Sequence, residues 1–323
     1  MAMKKAPLLL AVLMLSISGH APAQSYPARV VRFIAPGPPG GATDILARTI
    51  AQKLTESWGQ QVIVDNRAGA SGIIGTELTA RAAPDGYTIM MGHSGTHAIN
   101  VGLRKTLPYD PVKDFAPITL VATAPNVLLV HPSLPARSVK ELIALAKTKP
   151  GQFNYASPGV GFSQHLAGEL FSTMAGTKMT HVAYKGSAPA LTDVMAGNVL
   201  LMFSNIPACI AQVRSSRLRA LGVSSLKRSS AMPEVPTIAE SGLAGYEAIA
   251  WFGVFAPAGL PQDLVKRLHG DVVKILGQPD VRDRIVQQGA DPVANTPEEF
   301  GKFVQTEIRK WAKVIRVSGA TAE

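Results

Sequence analysis

Between Val30 and Phe255, short runs rich in β-branched residues alternate with amphipathic stretches of helical length. Strands that alternate with helices must cross over to reach their neighbours, which predicts an α/β architecture with largely parallel sheets. Arg29–Ala35 reads as the first strand, and Thr43–Ser57 as the helix after it, with Ile45, Leu46, Ile50 and Leu54 as its apolar set and Gly59 as its stop. Gln61–Val64 and Tyr87–Met91 are strands on either side of a helix over Ser71–Ala82. Ile118–Ala122 and Val127–Val130 read as two separate strands, and Ser138-Val139-Lys140-Glu141 as a capping box that opens a helix. Further strands are expected at Phe153–Ala156, His181–Tyr184, Val199–Phe203, Leu218–Val223 and Trp251–Ala256.

After Pro257 the pattern changes to helices alone, over Gln262–Leu276, over Asp280–Gln288, and from Thr296-Pro297-Glu298-Glu299 onward. The last has Thr296 as N-cap, Pro297 in the first helical position and Glu299 to complete a capping box. Its apolar residues Phe300, Phe303, Val304, Ile308, Trp311 and Ile315 share one face, which reads as core packing. The expectation is two α/β lobes with the helical tail packed back onto the first. Lobe 1 would comprise residues 24–124 and 244–323, lobe 2 residues 125–243, and the polar stretch Ser224–Pro236 is a candidate crossing between them.

With 323 residues, 46% of them hydrophobic, the chain can bury a sizeable core without disulfides or metals. Its one cysteine, Cys209, can form no intramolecular disulfide and reads as a buried small hydrophobe. Residues 1–23 combine Lys4 and Lys5, the short apolar run Pro7–Ile17 and the small-residue site Ala21-Pro22-Ala23. That is the pattern of a signal peptide cleaved after Ala23, so the mature protein is expected to be exported, soluble and periplasmic. The formal charge is +10, but Lys and Arg are scattered, with no long basic run and no basic stripe interleaved with aromatics. Nucleic acid is therefore not an expected partner, and a basic field suits anionic solutes instead.

Several strands run into Gly- and Ser-rich loops that open directly into helices. These are Ala35–Asp44, Asn66–Gly72, Ser157–Ser163 and Tyr184–Pro189. Glycine allows close backbone approach, and a helix start offers unpaired N–H groups at the positive end of a dipole. Together such loops suit an anion of carboxylate size. They match no phosphate motif: G-x-x-x-x-G-K-[ST] is absent, and Gly159-Val160-Gly161 has Gln164 where a dinucleotide pattern needs its third glycine. Asp44 reads as a helix-start residue, with contact to an amine or hydroxyl of a ligand as the alternative.

Two enzyme readings compete. Gly92-His93-Ser94-Gly95-Thr96 approaches the nucleophile elbow G-x-S-x-G but ends in Thr96. His93 and His97, four apart, could share a helix face toward zinc, but Ser94 replaces the glutamate of H-E-x-x-H and no third ligand is evident. The reading therefore includes no metal, no cofactor and no catalytic residue, with a hydrolase built on Ser94 as the alternative. Ser94, His97 and Asn100 read as loop hydrogen-bonders, and His165 as facing the cleft or capping its neighbours.

Pro36–Asp44, Gly59-Gln60, Val64–Ala70, Pro84-Asp85-Gly86-Tyr87-Thr88, Tyr155–Gly159, Tyr184-Lys185-Gly186 and Val235-Pro236-Thr237 occur in this order along the chain. The ordered set resembles the tripartite tricarboxylate transporter receptors, also called the Bug family of extracytoplasmic solute receptors, over nearly the whole mature chain. Phe162 departs from the family pattern, which often has a small hydroxyl residue there. The resemblance implies a two-lobed periplasmic binding protein fold with its ligand cleft between the lobes. It implies capture of a small organic mono- or dicarboxylate for uptake, with membrane permease subunits or a sensor protein as partners of a monomer. Carried onto this chain, the ligand would meet Pro36, Gly37, Gly41, Ala42 and Thr43 from one lobe. Ser157, Gly159, Gly161, Ser163, Lys185 and Gly186 would serve from the other, with His97 and Asn205 as further candidates.

Overall fold

The computed structural model describes residues 26–322; the signal-like segment and its cleavage position lie outside the described residues. Strand β1 (Val31–Ala35) leads into helix α1 (Ala42–Trp58), and β2 (Val62–Asn66) into a 3-10 turn at Ala70–Gly72 and α2 (Ile73–Ala80). β3 (Thr88–His93) runs into a π turn at Gly95–Ile99 and the short α3 (Asn100–Leu103). β4 (Phe115–Val130) follows, then α4 (Val139–Thr148), β5 (Phe153–Ser157), α5 (Ser163–Ala175), β6 (Met179–Ala183) and α6 (Ser187–Met195). The chain continues through β7 (Leu201–Asn205), α7 (Ile206–Arg214), β8 (Arg219–Val223) and β9 (Ile249–Pro257). It ends with α8 (Gln262–Leu276), α9 (Pro279–Gln287), the two-residue β10 (Asp291–Pro292) and α10 (Pro297–Ser318).

The sheet path is β2-β1-β3-β9-β4-β7-β5-β6, with β8 and β10 also paired to β4. β1 is parallel to β2 and β3, and β5 to β6 and β7, as the alternating pattern requires. β4 and β9 break that pattern, because every pairing they make is antiparallel. The two strands expected at Ile118–Ala122 and Val127–Val130 are one continuous β4. Its first part pairs with β9 as far as Pro125↔Ile249, and from Asn126 it pairs with β7 and β8. Proline cannot donate to a ladder. Pro117 lies at a register shift and Pro125 where the partner strand changes, positions where the missing N–H is tolerated. One strand thus belongs to both lobes.

The chain crosses back at Ala248, not within Ser224–Pro236. That polar stretch leaves β8 and returns beside it, with Val223 bridging to Thr237. A clasp of polar groups marks the crossing. Asn126 and Ser224 exchange backbone hydrogen bonds of 2.7 Å, one through the Ser224 hydroxyl, and the Ala248 N–H donates to the Ser224 carbonyl at 3.0 Å.

The helical tail is anchored by its predicted cap. Thr296 accepts from the Glu299 N–H, and the Glu299 carboxylate accepts from the Thr296 N–H. At α4 the box is shifted by one residue: Ser138 accepts from Glu141, but the Glu141 carboxylate takes the Arg137 N–H instead. Phe300, Val304, Trp311 and Ile315 are buried, as the apolar face of α10 predicts, and the helix packs on β4, on α3 with the π turn before it, and on α5 of the other lobe. Cys209 is fully buried, and burial pushes its thiol up to about 12.

Phe300 packs directly on the glycine of β9. A Cβ at Gly253 would lie 2.1 Å from the end of the Phe300 ring. Gly253→Ala is therefore expected to destabilise the fold by about 1–3 kcal/mol through overpacking, read as a lower midpoint in urea unfolding. An unchanged midpoint would mean that α10 does not pack here as described.

Candidate ligand-binding site

A cavity of about 590 Å³ lies between the lobes. Lobe 1 contributes the loop from β1 to α1 with Pro36, Gly37, Gly41, Ala42 and Thr43, the loop Ala68–Gly72, and His93 and Ser94 after β3. Lobe 2 contributes Pro158, Gly159, Val160, Phe162, Ser163 and Gln164 around the start of α5, Tyr184–Ser187 before α6, and Asn205 before α7. Ala250 and Phe252 of β9 complete the lining.

Helices α1, α5, α6 and α7 all begin at this wall, and in none does the N-cap side chain accept a hydrogen bond from the first turn. Each leaves first-turn N–H groups and the positive end of a dipole at the cavity. Gly186 needs to be glycine, because it caps α6 with φ 117°, and a Cβ there would meet Pro38 of the other lobe at 3.1 Å. Among the described lining residues, Lys185 is the one lysine or arginine, and none is acidic.

Asp44 is occupied in building the first loop. Its carboxylate accepts from the Gly40 N–H at 2.9 Å and the Asn66 amide at 3.0 Å, and pairs with Arg48 at 2.9 Å. Burial pushes this carboxyl upward, but Arg48 and the two hydrogen bonds outweigh it and hold it below the usual range. Asp44 is the helix-start residue of the first reading.

The structure brings together ten of the thirteen residues singled out from the sequence: Pro36, Gly37, Gly41, Ala42 and Thr43 in one lobe, and Gly159, Ser163, Lys185, Gly186 and Asn205 in the other. His97, Ser157 and Gly161 lie behind the wall. The His97 ring is stacked on Phe255 at 3.9 Å, and its Nδ1 bonds to the Thr96 hydroxyl at 2.9 Å. The Ser157 hydroxyl holds its own loop, accepting from the Gly159 N–H at 3.1 Å and bonding to His181 Nε2 at 2.6 Å. Gly161, at φ +83°, presses against lobe 1, where a Cβ would lie 2.5 Å from the Asn100 side-chain oxygen. Nearby, the Ser71 hydroxyl donates to the Val160 carbonyl, and the His93 ring stacks on Phe162 at 5.5 Å. These contacts join the two lobes directly beside the cavity.

His165 also lies behind the wall. Its Nδ1 accepts from the Gly161 N–H at 3.4 Å, and its ring stacks on His181 at 4.2 Å. Burial pushes His93 and His165 each down to about 4, and burial together with neighbouring His165 pushes His181 to about 3. His93 Nδ1 accepts the Gly95 N–H at 3.0 Å, so the ring proton resides on Nε2. Neither His93 nor His97 makes a hydrogen bond to Ser94, and no cluster of three metal-ligating side chains occurs among the described residues.

Wall residues outside the sequence-based set include Ser71, Phe162, Gln164, Tyr184 and Phe252. The glycine-rich character of Asn66–Gly72 already marked the loop around Ser71. Phe252 carried no local signal, since only the pairing of β9 between β3 and β4 brings it under the cleft.

Residues 46–320 match the family model described as the tripartite tricarboxylate transporter family receptor. The chain is 40% identical to protein BugT of Bordetella pertussis over 305 residues, 94% of each chain. Among solved structures it resembles R. palustris Rpa4515 with adipate, at 40% identity and a TM-score of 0.89, covering 92% of this chain and 99% of the other. It resembles MatC of Rhodopseudomonas palustris with bound malate at 33% identity and a TM-score of 0.84, covering 90% and 100%. Periplasmic binding protein BugD is similar at 34% identity and a TM-score of 0.86, covering 92% and 99%. A shared sequence pattern over most of the chain and a shared two-lobed cleft place this protein in the tripartite tricarboxylate transporter receptor family, the Bug-type periplasmic solute-binding proteins.

Proposed function

We propose that this protein captures a small organic mono- or dicarboxylate in the periplasm and delivers it to the membrane permease subunits of a tripartite tricarboxylate-type transporter. The observation that carries this reading is the convergence of four helix starts without side-chain caps on one cavity whose described lining contains no acidic side chain. Such a wall stabilises negative charge through backbone N–H groups and helix dipoles. An ammonium group would meet no opposite charge there, which disfavours amino acids. Adipate and malate in two relatives point to the same ligand class. The ten lining residues from the sequence-based set would contact the ligand, while His97, Ser157 and Gly161 would hold the wall in shape. The lobes would hinge at the β4 and Ala248 crossings, close to the 124/125 boundary and a few residues beyond 243/244.

Thermal shift at fixed ionic strength tests the reading, because a ligand at about a hundred times its Kd stabilises the native state by about 2.7 kcal/mol. At least one acid in a carboxylate panel should raise the melting temperature while its amide does not. Gly41→Val should abolish that shift without unfolding the protein. Gly41 has φ −80°, and a Cβ there would touch only the Pro38 carbonyl, at 3.5 Å, so the substitution adds bulk at the wall without backbone strain. An amide as effective as its acid would overturn the reading.

A further inference from the structure

A chain of buried amides runs from the crossing strand into the cavity, and its polarity follows from chemistry alone. It starts at the Ala248 carbonyl, which can only accept. The Asn126 amide nitrogen donates to that carbonyl, so Asn126 turns its Oδ1 the other way. Asn205 donates to this oxygen at 2.8 Å and turns its own Oδ1 to Gln164, whose Nε2 donates to it. Flipping any one amide would set oxygen against oxygen or nitrogen against nitrogen. The chain therefore ends with Gln164 Oε1 as an acceptor, and the donor it has in the structure is the Ser163 hydroxyl at 3.2 Å. That hydroxyl has one proton and a second acceptor in Asn126 Oδ1, at 3.4 Å. Asn126, Asn205, Ser163 and Gln164 are all at least nine-tenths buried, and the last three line the cavity.

Ser163 and Gln164 are also the first two residues of α5, where backbone N–H groups are unpaired. A carboxylate satisfies those donors but offers nothing to Gln164 Oε1, whereas a hydroxyl on a neighbouring carbon does. We infer that Gln164, oriented by Asn205 and Asn126, selects carboxylates that carry a hydroxyl near the acid group over those that lack one. The inference rests on the carboxylate reading above. Asn126 is a positioning residue in this scheme, because it does not line the cavity.

Titration calorimetry on the mature protein tests it with malate against succinate and adipate, and lactate against propionate. The better-bound hydroxy acid should bind about tenfold more tightly than its unsubstituted counterpart, as one well-made hydrogen bond allows. Gln164→Met should bring that ratio close to one. Asn126→Leu should lower it too, because the amides beyond it become free to flip. Where a variant does not fold, the ratio in the unaltered protein decides. If succinate or adipate binds as tightly as malate and propionate as tightly as lactate, or if the ratio survives Gln164→Met, the inference falls while the carboxylate reading stands. If neither acid of either pair binds while the amides do, both fall.

Discussion

Acidification from pH 7 to pH 4 is expected to remove most of this protein's stability. His93 and His165 are almost completely buried, and their folded pKa values lie near 4 against an ordinary 6.5. The unfolded chain takes up protons near pH 6.5 that the folded chain refuses until about pH 4. Their contribution is neutral above that window, turns unfavourable as the pH falls through it, and levels off below. At full development each costs roughly 3 kcal/mol, and His181, held down to about 3, adds at least a comparable amount. Glu169 and Asp291, raised by burial, oppose this because their folded forms hold protons more tightly. Against a typical stability of about 5–15 kcal/mol the histidine sum is large. The expected result is a urea midpoint that falls steadily from pH 7 to pH 4.5 and partly recovers its flatness in His165→Phe, which keeps a ring but cannot titrate. A midpoint independent of pH over that range would show that these rings are not held neutral by burial. Both His165 and His181 brace the Ser157–Gly161 loop from behind, so ligand affinity should fall over the same window.

The second large effect concerns the tail. Trp311 is fully buried on α10, and its indole N–H donates to Glu307 at 2.9 Å. Trp251 of β9 donates to the same carboxylate oxygen at 3.1 Å, so one buried glutamate ties helix to sheet. Trp311→Ala removes the ring and leaves Glu307 with one indole fewer, at an expected cost of roughly 3–5 kcal/mol. Trp311→Phe retains most of the packing and should cost clearly less. Denaturant unfolding of the two variants measures the difference. Trp311 does not line the cavity, so the affinity of folded Trp311→Ala for ligand should be unchanged. A cost below about 1 kcal/mol would mean that α10 is not anchored through this residue.

Local chemistry determined much of what the sequence by itself could settle. Helical periodicity and the capping boxes placed α1, α4 and α10 to within a residue or two, because hydrophobic spacing and N-cap hydrogen bonds act over only a few residues. The glycine-rich strand-to-helix loops marked the cavity wall for the same reason. Only the tertiary structure decided the rest. Nothing local distinguishes one strand of sixteen residues from two short ones interrupted by Pro125, since the answer depends on β9, β7 and β8 arriving from far along the chain. The same long-range pairing set which side of each loop meets the cavity. It turned Ser163 and Gln164 to the wall, and it sent Ser157 to His181, Gly161 to Asn100 and His97 to Phe255 behind it. Residue type tells what a side chain can bond, but its partner is chosen by whichever distant segment packing brings within about 3 Å.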